Sequence, residues 1–175
     1  MLSAISLLSA LAAMPAVKGS TIPAALLPRQ EMEQTINASL PNITIFATGG
    51  TIAGSAGSNT DTSGYTSGAI AVQALIDAVP ELLNITNVDG VQVSNVASGN
   101  INDTILLTMN REITESLASD TNHGAVVTHG TDTLEETAFF LDLTTPSKKP
   151  VVVVGAMRPA TATSADVRSP WTSLL

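Results

Sequence analysis

Short β-branched runs alternate with amphipathic segments along most of the chain. The apolar runs predict four strands, at residues 43–47, 91–96, 124–128 and 151–154. Between them, apolar residues recur at helical spacing and predict three helices, at residues 69–79, 103–118 and 133–143. This alternation predicts an α/β fold with an open, mainly parallel sheet and helices on both faces. Because the run at 151–154 is valine throughout, we expect it to be a central strand.

Three signals mark the predicted helix ends. Pro80 is expected to end the first helix, because proline cannot continue the backbone hydrogen bonding of a helix. Asn102 or Asp103 is the expected N-cap of the second. Asp132 precedes Glu135 by three residues, which is the spacing of a capping box at the start of the third. A plain cap is the commoner role for a residue such as Asp132, so a role in a site has to be weighed against it.

The first 41 residues carry the signals of export and processing. Residues 1–19 contain an apolar run followed by small residues, a pattern typical of a signal peptide. Residues 20–41 are interrupted by prolines and predict a propeptide or surface arm. We therefore expect a secreted protein, extracellular or in the cell wall. Four Asn-x-Ser/Thr sequons fit a glycoprotein: Asn37, Asn42, Asn84 and Asn102.

Composition and charge narrow the classes of function. The 175 residues carry a net charge of −8, which disfavours nucleic acid and anionic membranes as partners. There is no cysteine, so thiol nucleophiles and disulfides are excluded. The two histidines, His123 and His129, are not at the spacing of metal ligands, which argues against a zinc enzyme.

Each predicted strand is followed by a small, polar or glycine-rich turn. In open parallel sheets, ligands bind outside the carboxyl ends of the strands, so these turns predict a site at one edge of the sheet. Hydroxyl groups converge there from three separate strands. The turns are at residues 48–51, 98–100, 129–133 and 155–159.

The first turn invites comparison with phosphate-binding loops, but it departs from both common patterns. Thr51 stands where the dinucleotide fingerprint needs its second glycine. Gly49 and Gly54 have the spacing of a Walker loop, but Ser55 stands where that loop needs lysine. Nucleotide binding is therefore the weakest of the alternatives.

Hydroxyl groups in these turns suggest a different chemistry. A threonine can attack an acyl carbon if one group takes its proton and others stabilise the oxyanion. The N–H groups of Gly49 and Gly50 are candidate oxyanion donors, because no side chain hinders the approach of a ligand. Asp132 could hold an ammonium group while nearby donors hold a carboxylate, a combination that suits a free amino acid. Spacing alone does not rank Thr51 above Thr48 or Thr131.

Three stretches of this sequence resemble one enzyme family. "ITIFATGGTIAG" and "VVTHGTDTLEETAFFLDL" are similar to the two signature regions of the bacterial-type L-asparaginases, and "VGAMRPATATSAD" is similar to a third region. The resemblance covers about residues 41–166. The export signal suggests the secreted type II branch, and the wording of the motifs suggests a fungal or yeast-like member. It implies an asparaginase N-terminal domain at 42–166, with a Rossmann-like or flavodoxin-like sheet.

The resemblance also implies an activity. Family members hydrolyse L-asparagine to L-aspartate and ammonia, and L-glutamine stays open as a second substrate. They use no metal or organic cofactor. The resemblance further implies a homo-oligomer, with a tetramer expected for family members of full length.

Residue roles follow from the same resemblance. Thr51 would be the nucleophile that forms the acyl-enzyme. Tyr65 would assist it from the glycine- and serine-rich loop at 54–68, which would then act as a lid. Thr131 and Asp132 would form a second catalytic group. The residues expected to bind substrate are Ser98, Thr131, Asp132 and Gly50.

Two departures from the family pattern stand out. At Gly99 the family often carries glutamine, so we expect an altered balance between asparagine and glutamine. After Asp166 the family continues with Gly-Pro, whereas here an aberrant tail, "VRSPWTSLL", occupies residues 167–175. A truncated gene model or a frameshift is our hypothesis for this tail.

The second departure bears on activity. A family lysine that works with the second threonine and the aspartate lies beyond Asp166, and we do not expect Lys148 or Lys149 to replace it. The domain at 42–166 would then be incomplete. We therefore expect weak or no activity from this chain. The alternative is a non-catalytic fragment that binds aspartate or asparagine.

Overall fold

The structure is a computed structural model that describes residues 36–56, 64–162 and 165–166. The predicted signal peptide, most of the predicted arm and the 167–175 tail lie outside these residues, as do residues 57–63 of the predicted lid. Within the described part of the chain, no helix is both long and apolar enough to cross a membrane.

Six strands and three α-helices make up the described chain. The strands are β1 (Asn42–Gly49), β2 (Ser55–Ala56), β3 (Tyr65–Thr66), β4 (Asn87–Val96), β5 (Asn122–Thr128) and β6 (Val151–Val154). The helices are α1 (Val72–Asp77), α2 (Asp103–Ala118) and α3 (Leu134–Thr144). Single 3₁₀ turns occupy Thr51–Ala53, Pro80–Asn84 and Ser98–Asn100. All four strands predicted from apolar runs are confirmed.

The main sheet has four strands in the order β4-β1-β5-β6, and every neighbouring pair is parallel. The chain runs outward from β1 to β4, crosses back to β5 and then continues to β6. The strand order therefore reverses between β1 and β5, which is where open α/β sheets place their ligands. The predicted α/β fold with a mainly parallel sheet is confirmed.

Helices cover the sheet on both faces, as predicted. Successive β1 residues alternate between the faces, so Ile45 packs with α1 and the Pro80–Asn84 turn on one side. Phe46 packs with α2 and α3 on the other. The apolar positions that predicted α2 are Leu106, Met109, Ile113 and Leu117; Leu106 is half-buried and the other three are fully buried.

The prediction that Val151–Val154 is a central strand stays a prediction, because the structure describes only residues 165–166 beyond Ala162. Among the described residues, β6 pairs only with β5, and all four valines are half-buried. On the α1 side, an apolar cavity of about 200 Å³ lies against Val126, Pro150 and Val152. An all-apolar strand shows that both of its faces avoid water, but it does not show whether a neighbouring strand lies on each side.

An irregularity in β4 was not predicted and shapes the site end of the sheet. Ala47 pairs with Gln92, but Gly49, two residues on, pairs with Val96, four residues on. Gln92 fills the resulting bulge, because its Nε2 donates to Ala47 O at 3.1 Å and to Ser94 O at 2.7 Å. Bulges of this kind re-aim the chain that follows, and here that chain leads directly to Ser98.

The helix-end predictions have mixed outcomes. Asn102 caps α2, since its Oδ1 accepts the N–H of Ile105 at 3.1 Å. The first helix ends at Asp77, before Pro80, which starts a 3₁₀ turn instead. The expected cap at Asp132 is wrong: Thr133 is the N-cap of α3, and no side chain makes a capping hydrogen bond there.

Candidate active site

The turn after β1 is built on two glycines with positive φ. Gly49 and Gly50 have φ values of 106° and 74°, a region that residues with a side chain rarely adopt. The turn leads straight into the 3₁₀ segment that begins with Thr51, whose relative exposure is 9%. Only a glycine pair lets the chain reverse this tightly, so the turn delivers Thr51 to the carboxyl edge of the sheet.

The structure separates two threonines of this turn that the sequence could not rank. Thr48 is 1% exposed, and its Oγ1 donates to Thr128 O at 3.0 Å, so its hydroxyl links β1 to β5. Thr51 instead lines a cavity at the carboxyl edge. Thr48 is therefore part of the scaffold, and Thr51 and Thr131 are the threonines placed to meet a ligand.

The turns after β4 and β5 are held together by two hydrogen bonds. The N–H of Asp132 donates to Ser98 Oγ at 3.1 Å. The Oγ1 of Thr133 donates to the backbone oxygen of Ser98 at 2.9 Å. Ser98 is only 4% exposed. Both the side-chain oxygen and the backbone oxygen of Ser98 are thus bonded to the turn after β5.

Backbone atoms of the three turns approach one another too closely for side chains. A Cβ on Gly50 would lie 2.4 Å from Gly130 Cα, and a Cβ on Gly130 would lie 2.6 Å from Ser98 Oγ. The N–H of Gly50 donates to Val96 O at 2.8 Å. Close packing through glycine therefore sets the relative position of the turns.

That last hydrogen bond corrects a prediction. Gly50 N–H was expected to be an oxyanion donor, but it is engaged by Val96. The bulge in β4 explains the difference, because it brings the end of β4 against the glycine turn. The Gly50 backbone oxygen is also occupied, since it accepts the N–H of Gly68 at 3.1 Å.

The turns enclose a cavity of about 240 Å³. Drug-sized ligands need about 300–1,000 Å³, so this cavity suits a smaller molecule, such as a single amino acid. Asp132 is the only charged side chain among the described residues that line it. The lining residues are Gly50, Thr51, Ser67, Ala97, Ser98, Thr131, Asp132 and Met157.

Five of the six predicted site residues meet in this cavity. They are Gly50, Thr51, Ser98, Thr131 and Asp132. The sixth, Tyr65, lies in β3, where its backbone pairs with Ala56; its side chain is outside the described part of the structure.

Sequence reasoning missed three of the lining residues. Ala97 directly precedes Ser98, and Met157 lies in the turn after β6, which was already expected at this edge. Ser67 follows β3 and is positioned through Gly68, whose N–H donates to Gly50 O. Met157 and Ser67 had a usable signal, since Met157 lies inside the "VGAMRP" stretch and Ser67 lies inside the predicted lid at 54–68.

A buried histidine lies beneath the third turn. His129 is 0% exposed, and its Nδ1 lies 2.7 Å from Gly130 O. A carbonyl only accepts, so Nδ1 carries the proton and Nε2 accepts from Thr137 Oγ1 at 3.0 Å. Burial lowers the pKa of His129 below its ordinary 6.5, although the Gly130 carbonyl and Glu136 act against this shift. His129 therefore supports the turn as a neutral ring.

The described residues give no sign of a metal centre. No group of three or more His, Asp or Glu side chains is close enough within this part of the chain to hold a metal ion. Lys149 is far from the cavity, as expected, since its Nζ donates to Leu117 O and Ser119 O at the carboxyl end of α2.

An open parallel sheet with a small, hydroxyl-rich cavity at its switch point defines an α/β protein whose candidate site has room for a small polar ligand. The chain belongs to the asparaginase family, since residues 42–170 match the model described as "Asparaginase, N-terminal".

Similar proteins carry the same family name. L-asparaginase 2 of Bacillus subtilis is 60% identical over 127 residues, which cover 73% of this chain and 34% of that protein. L-asparaginase 2-3 of Saccharomyces cerevisiae is 56% identical over 139 residues, covering 79% of this chain and 38% of that protein. The crystal structure of a probable cytoplasmic L-asparaginase from Campylobacter jejuni superposes with a TM-score of 0.71 at 48% identity. That match covers 74% of this chain and 39% of the other.

The chain thus spans little more than a third of the length of the relatives it matches. The comparison also corrects the predicted location. A secreted or cell-wall protein was expected, but the solved structure it resembles is described as cytoplasmic, so that prediction is wrong. Two of the sequon asparagines make hydrogen bonds within the fold: Asn42 Nδ2 donates to Thr121 O at 3.0 Å, and Asn102 caps α2.

Proposed function

We propose that this site hydrolyses L-asparagine to L-aspartate and ammonia, with Thr51 as the nucleophile. One observation carries the proposal: Thr51, Ser98, Thr131 and Asp132, which come from three separate turns, line a single small cavity. The family's name supports the choice of substrate. L-glutamine, one methylene longer, is the second candidate.

The cavity offers a matching group for each charge of an amino acid. Asp132 supplies a negative charge for the α-ammonium group. Ser98 Oγ already accepts the N–H of Asp132, so its own proton is left to donate, and a carboxylate can only accept. Ser98 and Asp132 would therefore hold the α-carbon and direct the side-chain amide towards Thr51.

The chemistry proceeds in two balanced steps. Thr51 Oγ1 attacks the amide carbon and loses its proton; the C–N bond breaks, and ammonia leaves with a proton. Water then attacks the resulting ester, which releases L-aspartate and restores the threonine hydroxyl. Thr131 and Asp132 would move protons, and Tyr65 would assist Thr51. These roles rest on the family resemblance together with the shared cavity.

Ammonia release and ligand binding, measured on the same preparation, test the proposal. Turnover with L-asparagine supports hydrolysis, and the rate with L-glutamine gives the preference. We expect slow turnover, because no lysine lines the cavity among the described residues. Calorimetric binding of L-aspartate without any ammonia release would favour the non-catalytic alternative. If the chain neither binds L-aspartate nor releases ammonia, both the hydrolysis proposal and the non-catalytic alternative are contradicted.

We further propose, from the family resemblance, that asparaginases of this type assemble as homo-oligomers, with a tetramer as the expected state. Analytical ultracentrifugation of this chain is the direct check. If this chain stays monomeric at all concentrations, assembly through its asparaginase N-terminal domain is contradicted.

A further inference from the structure

Thr133 uses its hydroxyl in an unusual way. It is the N-cap residue of α3, where a threonine normally accepts an N–H from the first turn of its own helix. No such bond is present. The hydroxyl instead donates to Ser98 O, 35 residues earlier in the chain, at 2.9 Å. The start of α3 therefore lacks a side-chain cap, and the Thr133 hydroxyl instead bonds to the turn that contains Ser98.

The bond acts together with a second one. Asp132 N–H donates to Ser98 Oγ, so adjacent residues of one turn hold both the carbonyl and the side chain of the same serine. The contact is tight, since a Cβ on Gly130 would lie 2.7 Å from Ser98 Cβ. The Ser98 carbonyl also accepts Ile101 N–H of its own 3₁₀ turn at 3.0 Å, so the Thr133 hydroxyl is the bond that ties this carbonyl to the neighbouring turn, while Asp132 N–H orients Ser98 Oγ in the cavity.

We propose that Thr133 is a positioning residue for substrate binding. It holds the Ser98 carbonyl so that Ser98 Oγ accepts from Asp132 and directs its own proton at the substrate carboxylate. Thr133 is not among the residues that line the cavity, so it acts through Ser98. The inference rests on the proposed function, in which Ser98 binds that carboxylate.

Thr133→Val tests the role, because valine keeps the β-branched shape and removes only the hydroxyl. Thr133→Ser restores the donor. Thr144→Val is the matched control at the other end of α3, where Thr144 Oγ1 donates to Phe140 O at 2.6 Å. The control removes a hydroxyl-to-carbonyl bond of the same kind, away from the cavity, together with the bond that Thr144 Oγ1 accepts from Asn110 Nδ2 at 2.9 Å.

The first measurement is amide hydrogen exchange by NMR on the full chain, and it needs no ligand. We expect the Asp132 amide to exchange about tenfold faster in Thr133→Val, since a lost hydrogen bond is worth roughly that factor. The core amide of Val127 should be unchanged. Thr133→Ser should restore protection, and Thr144→Val should leave it intact.

Two results would overturn the inference. One is an unchanged Asp132 amide in Thr133→Val. The other is equal acceleration at Asp132 and Val127, which would show that Thr133 serves only global stability.

The second measurement is calorimetry with L-aspartate. Binding should weaken about tenfold in Thr133→Val and recover in Thr133→Ser. Faster exchange at Asp132 with undiminished aspartate binding would contradict the positioning role. Failure of the wild-type chain to bind aspartate would count against the proposed function itself, while the exchange result still decides whether Thr133 holds Ser98.

Discussion

The two ends of the sheet both carry a cavity, and the larger cavity lies at the amino end, opposite the proposed active site. At the amino end, a cavity of about 490 Å³ lies between the starts of β1 and β4 and the last turns of α2. At the carboxyl end, the proposed active site encloses about 240 Å³. Volume alone would therefore select the wrong end.

The polar groups around the two cavities differ in their hydrogen-bond partners. At the amino end they satisfy one another: Asn122 Nδ2 donates to Thr44 Oγ1 at 3.0 Å and to Ser116 Oγ at 2.6 Å. At the carboxyl end, glycine contacts and backbone bonds fix the turns, and hydroxyls and one carboxylate line the cavity. The comparison shows that a site is marked by a fixed backbone that presents functional groups, whereas mutually bonded side chains mark a scaffold.

Removal of the proposed nucleophile should have the largest effect. In Thr51→Val, ammonia release should fall by about 10³-fold or more, because the proposed acyl-transfer step loses its nucleophile. Thr44→Val is the control on β1, the strand that leads to Thr51, since Thr44 is buried at the amino end. It should lose some stability and keep its turnover. Equal turnover in Thr51→Val and the wild type would contradict the assignment of the active site to the carboxyl end of the sheet.

A methyl group on Gly50 should be the next largest disturbance. Gly50→Ala needs a positive φ of 74° and would place Cβ 2.4 Å from Gly130 Cα, so we expect a loss of about 3 kcal/mol of stability. Gly99→Ala is the control, because a Cβ there meets nothing within 4 Å. It should stay within about 0.5 kcal/mol of the wild type. Urea unfolding of both variants measures the difference, and equal midpoints would contradict the account of the interlocked turns.

A lower pH should reduce the free energy of unfolding, because His129 is buried as a neutral ring next to the site. Because burial lowers the pKa of His129, the unfolded chain binds more protons than the folded chain below pH 6.5. The free energy of unfolding should therefore fall as the pH drops from about 6.5 towards the lowered value, and be greatest above 6.5. Urea titrations between pH 7.5 and 5.5 test this. His129→Gln should flatten the slope; a slope unaffected by His129→Gln would count against a buried neutral ring.

Substrate preference should show the smallest effect. The open space at Gly99 can accept a longer side chain beside Ser98. We expect Gly99→Gln to change the ratio of asparagine to glutamine turnover by several-fold, since one added contact is worth roughly 1 kcal/mol. Rates with both amides give that ratio directly. A ratio identical to that of the wild type would show that this position does not set the preference.

Local patterns predicted much of the fold and the site. The spacing of Met109, Ile113 and Leu117 defines α2 without any knowledge of its neighbours, and polar turns after apolar strands identified the carboxyl edge. What failed depends on distant contacts. The engagement of Gly50 N–H by Val96 and the bond from Thr133 to Ser98 each join segments that are far apart in sequence. The predicted location rested on the apolar leader and the sequons, and it failed against the description of the similar solved structure.

An NMR titration with L-aspartate tests the central claim most directly. If the carboxyl-edge cavity binds a free amino acid, the amides of Thr51, Ser98 and Asp132 should shift together with one dissociation constant. The amides of Asp89 and Glu115, at the larger cavity, should stay in place. Shifts confined to the amino end, or no saturable shifts at all, would contradict the account.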